Sequence, residues 1–184
     1  MDDRGQLKAI ETLYKGYRFR SRLEARWAVF LDHAGLKWEY EIEGYNLNGL
    51  WYLPDFWLPE LGGNEEGAWF EVKGPEMQEG DDGWTKAAAL ATASEVPVFV
   101  FSGQIKPWMS GKRFKLDTYT DDGVDRLVVD DVEWLECPIC HAVEPARDAL
   151  DMSCCCVLIW STRGVTEKAA EAAIQARFGR HGRS

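Results

Sequence analysis

No run of apolar residues in this 184-residue chain approaches the roughly 20 that a membrane-spanning helix requires. Met1-Asp2-Asp3-Arg4 is charged and no apolar stretch follows it, so a secretory leader is not expected and a cytoplasmic location is. There is no internal repeat and no low-complexity tract, which sets aside solenoids and biased arrays. Cysteine is missing from everything before Cys137, and all five lie between there and Cys156. An odd, clustered set argues against a disulfide framework and for a metal. A basic balance is also lacking: the net charge is −10, the wrong sign for a surface that grips phosphates throughout.

What is present is a chain that can build a core. Hydrophobic residues make up 46% of it, enough for one ordinary domain with a small appendage. The positive charge that exists is concentrated. Lys15, Arg18, Arg20, Arg22 and Arg26 stand against Glu24 alone in segment 14–27. Arg163, Lys168, Arg177, Arg180 and Arg183 stand against Glu167 and Glu171 in the tail. For the tail a solvated helix face explains the pattern equally well. For the first segment a phosphate-facing role is expected, carried by Arg18, Arg20, Arg22 and Arg26.

Periodicity gives the element order. A short helix is expected at Gln6–Tyr14. A second runs from Ser21 to Ala34, with Leu23, Trp27, Phe30, Leu31 and Ala34 as its apolar stripe, Ser21 as N-cap and Gly35 as stop. Trp38–Ile42 alternates as a strand, and Asn48-Gly49 marks a turn. Leu50–Trp57 reads as a strand broken by Pro54, and residues 60–67 as a loop. Ala68–Lys73 is a third strand, stopped by Gly74-Pro75. Thr85–Ser94 is helix-prone, Pro97–Phe101 is a buried strand, and 112–120 and 126–134 are weaker strands. Val165–Phe178 is a helix with an Ala-rich face.

Two short segments carry the chemistry. Pro54-Asp55 ends one apolar run, and Glu71-Val72-Lys73 ends another. On neighbouring strands Asp55, Glu71 and Lys73 can converge at one sheet end. Alternation puts Glu71 and Lys73 on one face and turns Val72 into packing. Two carboxylates suit a hard divalent cation such as Mg²⁺ or Mn²⁺, with the Val72 carbonyl as a further oxygen. Lys73 would then sit beside a nucleophilic water, as phosphodiester hydrolysis needs. The bland alternatives are a turn-favouring Asp beside proline and an ion pair along an exposed strand.

This motif and its setting resemble the PD-(D/E)xK nuclease superfamily, of the restriction-endonuclease-like fold and the phage or mobile-element type. The resemblance spans about Ser21 to Gly103. It rests on the order of helix with a Glu, strand, strand with the Asp, strand with Glu-x-Lys, helix, strand. It implies an α/β fold, a mixed sheet flanked by helices in αβββαβ order. It implies metal ligation by Asp55 and Glu71, a catalytic Lys73, and Glu24 as a fourth member reaching from the first helix. Ser21-Arg22-Leu23-Glu24 is also a capping-box pattern that would fold Glu24 back on the Ser21 amide. Lys86 is a weaker phosphate contact, and His33 reads as a helix-end residue.

Cys137-Pro138-Ile139-Cys140 is a C-x2-C knuckle, followed by Cys154, Cys155 and Cys156. Two such pairs hold structural Zn²⁺ in zinc ribbons. Cys154 and Cys156 are favoured as the second pair, with Cys155 and His141 as alternatives. The expected organisation is a nuclease-like core over 1–134 and a zinc-ribbon-like module with a C-terminal helix over 135–184. Trp84 and Trp108, expected in loops, can stack bases. The expected function is a Mg²⁺-dependent DNA endonuclease, in a repair, recombination or transposition context, acting with a protein partner or as a homodimer. The alternative is a non-catalytic acidic binding or inhibitor protein on the same scaffold.

Overall fold

A computed structural model describes residues 10–61, 67–74, 78–118, 120, 121, 123–154, 156, 161, 162 and 164–178. Its elements, in chain order, are β1 (Thr12–Tyr14), β2 (Tyr17–Phe19), α1 (Arg22–His33), β3 (Glu39–Tyr40), β4 (Tyr45–Leu47), β5 (Leu50–Tyr52) and β6 (Phe56–Leu58). They continue with β7 (Ala68–Lys73), α2 (Asp82–Ser94), β8 (Val98–Ser102), β9 (Ser110–Asp117), β10 (Arg126–Glu136), β11 (Val143–Ala146) and α3 (Gly164–Gln175). Seven strands form a mixed sheet in the order β11-β10-β9-β8-β7-β6-β3. Only β7 and β8 run parallel, with Lys73 opposite Ser102 and α2 as the crossover between them.

The sheet is buried on both sides, and β7 shows why its sequence is apolar almost throughout. Phe70 and Val72 face a core shared with Trp27, Phe30, Phe101 and Trp134 and with Ala169, Ala170 and Ala173 of α3. Trp69 faces the other way, with Val98, Val100, Leu90 and Leu47, under α2 and the β4–β5 hairpin. The molecule is thus layered as α1 and α3, sheet, then α2 with the hairpin. The α/β class, the mixed sheet and the flanking helices agree with expectation.

Local chemistry sets the boundaries. Ser21 accepts a hydrogen bond from the Glu24 amide and caps α1, and Gly35 ends it in the left-handed region at φ 76°. Asn48 and Gly49 both have positive φ, the requirement of the tight β4–β5 turn. Three expectations are corrected. The helix expected over Gln6–Tyr14 is, in its described part, strand β1, because Lys15-Gly16 folds the chain back onto β2. The strand expected at Trp38–Ile42 shortens to Glu39–Tyr40, where Glu41 turns to φ 51°. The Leu50–Trp57 run is two strands: β5 leaves the main sheet to pair with β4, and only β6 joins β7. The expected division after residue 134 falls inside β10, whose Trp134 lies in the main core.

Candidate active site and candidate metal centre

The break at Pro54 lets β5 and β6 approach β7 from different sides. Tyr52 of β5 lies over the face that carries Glu71 and Lys73, while Asp55 opens β6 beside β7. Asp55 and Glu71 interlock through the backbone. The Asp55 N–H donates to Glu71 Oε1 at 3.2 Å, and the Val72 N–H donates to Asp55 Oδ2 at 2.8 Å. Both carboxylates are buried, Glu71 to 1% exposure and Asp55 to 5%. Lys73 Nζ donates to Glu71 Oε2 at 2.7 Å and to the Tyr52 hydroxyl at 3.0 Å. Tyr52 in turn donates to Glu71 Oε2 at 2.5 Å. Lys86 lies on the same side, 6.0 Å from the Tyr52 ring, with its ammonium on Asp82.

The link between β2 and α1 reaches this cluster through Arg20. Its guanidinium pairs with Asp55 Oδ1 at 2.5 Å and with Glu41 Oε1 at 2.7 Å. Glu24 accepts from the Ser21 hydroxyl at 2.7 Å, the Arg20 amide at 3.1 Å and the Tyr40 hydroxyl at 2.5 Å. Glu24 thus turns back to the start of its helix, but onto the Ser21 hydroxyl and the Arg20 amide rather than the expected Ser21 amide. Glu24 is 9% exposed at the inner end of its helix.

Burial, then repulsion from Glu71, pushes the Asp55 carboxyl well above its ordinary value, and Lys73 opposes that shift. Burial alone would lower the Lys73 ammonium, but Glu71 and Asp55 raise it. Burial and then the Glu71 charge raise the Tyr52 hydroxyl far above the tyrosine range, so it stays a donor. Two buried carboxylates that repel each other are a donor set that a divalent cation fits. Yet Glu24, Asp55 and Glu71 do not close to mutual ligand distance here. Among the described residues the only group of three or more such side chains that does is made of cysteines. Every oxygen of Asp55 and Glu71 already has a partner.

The remaining candidates fall elsewhere. Arg18 is exposed and 3.7 Å from Glu11. Arg22 and Arg26 lie along α1 and make no ion pair among the described residues. His33 bonds the Val29 carbonyl at 2.9 Å, as a helix-end residue does. Trp84, expected in a loop, opens α2 and packs on Phe114 at 5.0 Å between ring centroids. Trp108 is 67% exposed. Arg163, Arg180, Arg183 and Cys155 lie outside the described residues. Tyr52, Tyr40 and Glu41 belong to this cluster of contacts although the motif does not contain them. A tyrosine three places before the Asp was the available signal for Tyr52.

Cys137, Cys140, Cys154 and Cys156 bring their four sulfurs within 4.8 Å of one another. Four thiolates at that spacing can hold a metal such as zinc, whose Zn–S bonds of ~2.3 Å need such a tetrahedron. The knuckle is built for charge. The amides of Ile139 and Cys140 each donate to Cys137 Sγ at 3.4 Å. Burial opposes ionisation of Cys137, but these amides pull its thiol down to about 6. Burial, and then hydrogen bonds with Cys140 and Cys137, push the Cys156 thiol up to about 12. His141 is not in the group that closes to ligand distance, and its Nδ1 bonds Glu136 Oε1 at 3.0 Å. No described helix is long and apolar enough to cross a membrane. No protein-family model, curated protein or solved structure matches the chain.

Proposed function

We propose that this protein is a metal-dependent nuclease of the PD-(D/E)xK type that hydrolyses phosphodiester bonds in DNA. The observation that carries the reading is the buried knot of Asp55, Glu71 and Lys73 at the end of two adjoining strands. Two buried carboxylates side by side repel each other, and each is held by a cation of its own, Lys73 on Glu71 and Arg20 on Asp55, a charge that a divalent ion can supply instead. Asp55 and Glu71 would hold Mg²⁺ or Mn²⁺, with the Val72 carbonyl as a further oxygen. When bound, the cation supplies Lewis acidity to the water and the phosphate.

The chain's own groups do the rest. Lys73 orients the attacking water and offsets charge on the phosphate oxygens. Tyr52 holds the Lys73 ammonium in place, and Tyr40 holds Glu24. Arg20, half exposed, is the group that must swing off Asp55 to free an oxygen. It then stands beside the scissile phosphate. At the far edge of the sheet the four cysteines hold zinc as a structural staple.

A second reading has its own support: an acidic binding protein on this scaffold. Arg20 on Asp55 and the net charge of −10 favour it. One assay separates the two. The purified protein is incubated with Mg²⁺ or Mn²⁺ and linear, nicked, branched and single-stranded DNA, beside Glu71→Ala and an EDTA control. Cleavage by the wild type alone supports the nuclease. No cleavage of any substrate, or equal cleavage by the variant, sinks it.

A further inference from the structure

The arginines of the N-terminal basic segment go to different places. Arg20 is spent on Asp55 and Glu41, and Arg18 reaches Glu11 on the surface. Arg22 and Arg26 stand one turn apart on α1. With Arg177, Ile174, Ala176 and Phe178 they wall an open cleft of about 410 Å³ between α1 and the end of α3. Among the described residues no carboxylate lines it. Among the described residues Arg177 Nη1 donates to two main-chain oxygens, Gln175 at 2.8 Å and Ala176 at 3.4 Å. Phe178 is pinned edge-on against Tyr14, 6.1 Å between centroids.

Three guanidinium groups around one cleft repel each other, on a protein that has acidic residues to spare. Arg22 is the first residue of α1, where a cation also opposes the helix dipole. Arg26 Nε is shut off from solvent with no acceptor, so the stem is packed and the donors left to it are at its tip. The arrangement carries several uncompensated costs that one oxyanion would relieve. Guanidinium forks match the oxygens of phosphate bidentately.

We propose that this cleft binds a phosphate group of the nucleic-acid backbone through Arg22, Arg26 and Arg177. The source of the phosphate rests on the nuclease reading; the oxyanion site itself does not. Glu24 is two residues from both Arg22 and Arg26 and so lies on the opposite side of α1. A helix with its side chains is ~10–12 Å across, about three steps of one strand at ~3.4 Å each. The cleft therefore takes a phosphate a few nucleotides from the scissile one.

The test compares the full chain with R22Q/R26Q/R177Q and with R22Q/R177Q, the latter sparing the packed Arg26. Binding to two fluorescent 20-base-pair duplexes of unrelated sequence is titrated in EDTA at several salt concentrations. Thermal midpoints are read in inorganic phosphate. The triple variant is expected to bind both duplexes at least 10-fold more weakly, with the log–log salt slope shallower by about one. Phosphate is expected to raise the midpoint of the wild type and not of the variants. Unchanged affinity and slope in a folded variant, or equal protection by phosphate, overturns the proposal. Protection of the wild type alone with unchanged duplex binding makes this a free-phosphate site and overturns the nucleic-acid assignment. Cleavage failing in the wild type while the salt slope still falls would sink the nuclease and leave the cleft standing. Intact cleavage with an unmoved slope would do the reverse.

Discussion

Asp55 is where the physical chemistry of single residues is most exposed. Its carboxyl titrates near 3.9 in an unfolded chain and well above that when folded, through burial and Glu71. A raised folded value means the native state binds more protons in the window between the two. The Asp55 contribution to stability is therefore fully present below about pH 4. It is lost as pH rises through the folded value. In EDTA, urea unfolding of Asp55→Asn should gain on the wild type as pH climbs from 4 to 8, and the two curves should meet in acid. Metal should stabilise the wild type progressively better over the same range, because protons compete for Asp55, and should do nothing for the variant. Parallel pH curves would mean that Asp55 is not held against its charge. Tyr52→Phe is the companion variant. It removes one donor to Glu71 and one acceptor from Lys73. The lost bonds to charged groups are worth ~1.5–3 kcal/mol, so cleavage should slow about 10- to 100-fold with the fold intact. Unchanged turnover would confine Tyr52 to packing.

At the scale of elements, Glu136 joins three parts of the chain that lie far apart in sequence. Its main chain bridges to Thr162 in both directions at 2.9 Å. Its carboxylate accepts from His141 beside the cysteine knuckle and from the Val165 amide at the start of α3, the latter at 2.9 Å. Burial would raise this carboxyl, but those bonds pull it below the ordinary glutamate value. Its stabilisation is thus present above the unfolded value and lost as pH falls through the folded one. Glu136→Ala should cost about 1–2 kcal/mol at neutral pH, as loss of a helix cap does, and that difference should shrink in acid. Amide exchange in α3 should speed up before that in α1. An equal effect at pH 3 and pH 7 would remove the carboxylate from the explanation. None of this was legible beforehand, since a glutamate near a strand end carries no signature of the helix it caps 29 residues later. The main sheet was better written in sequence. The runs Ala68–Lys73 and Pro97–Phe101 carry their burial openly, and Gly35 and Asn48-Gly49 are fixed by backbone geometry. What failed was pairing: β5 and β6 read as one apolar run, although the Asn48-Gly49 turn folds Leu50–Tyr52 back onto β4. The same bend brings Tyr52 to Glu71, so the residue missed in the site and the strand misread in the fold have one cause.

At the scale of the whole molecule, β10 ties the cysteine cluster to everything else. Its first eight residues pair with β9, from Arg126 opposite Asp117 to Glu133 opposite Ser110. Trp134 packs against Phe30, Phe101 and Trp27 in the main core. Only its last residues, with Cys137, Ala146 and Met152, belong to the small satellite cluster around the sulfurs. That cluster is small, so a metal held by the four cysteines would contribute most of its stability. The purified protein should carry about one zinc per chain, and elemental analysis checks this. Chelation should then release β11 and the knuckle while β10 stays protected, because its partner β9 and Trp134 are independent of the metal. Hydrogen exchange followed during chelation reads this directly. Early loss should run through residues 137–146, with Val128–Val132 unaffected. Release of β10 together with β11 would make the zinc-bearing edge a separate folding unit. Absence of zinc, with freely reactive thiols in the folded protein, would refute the metal centre altogether.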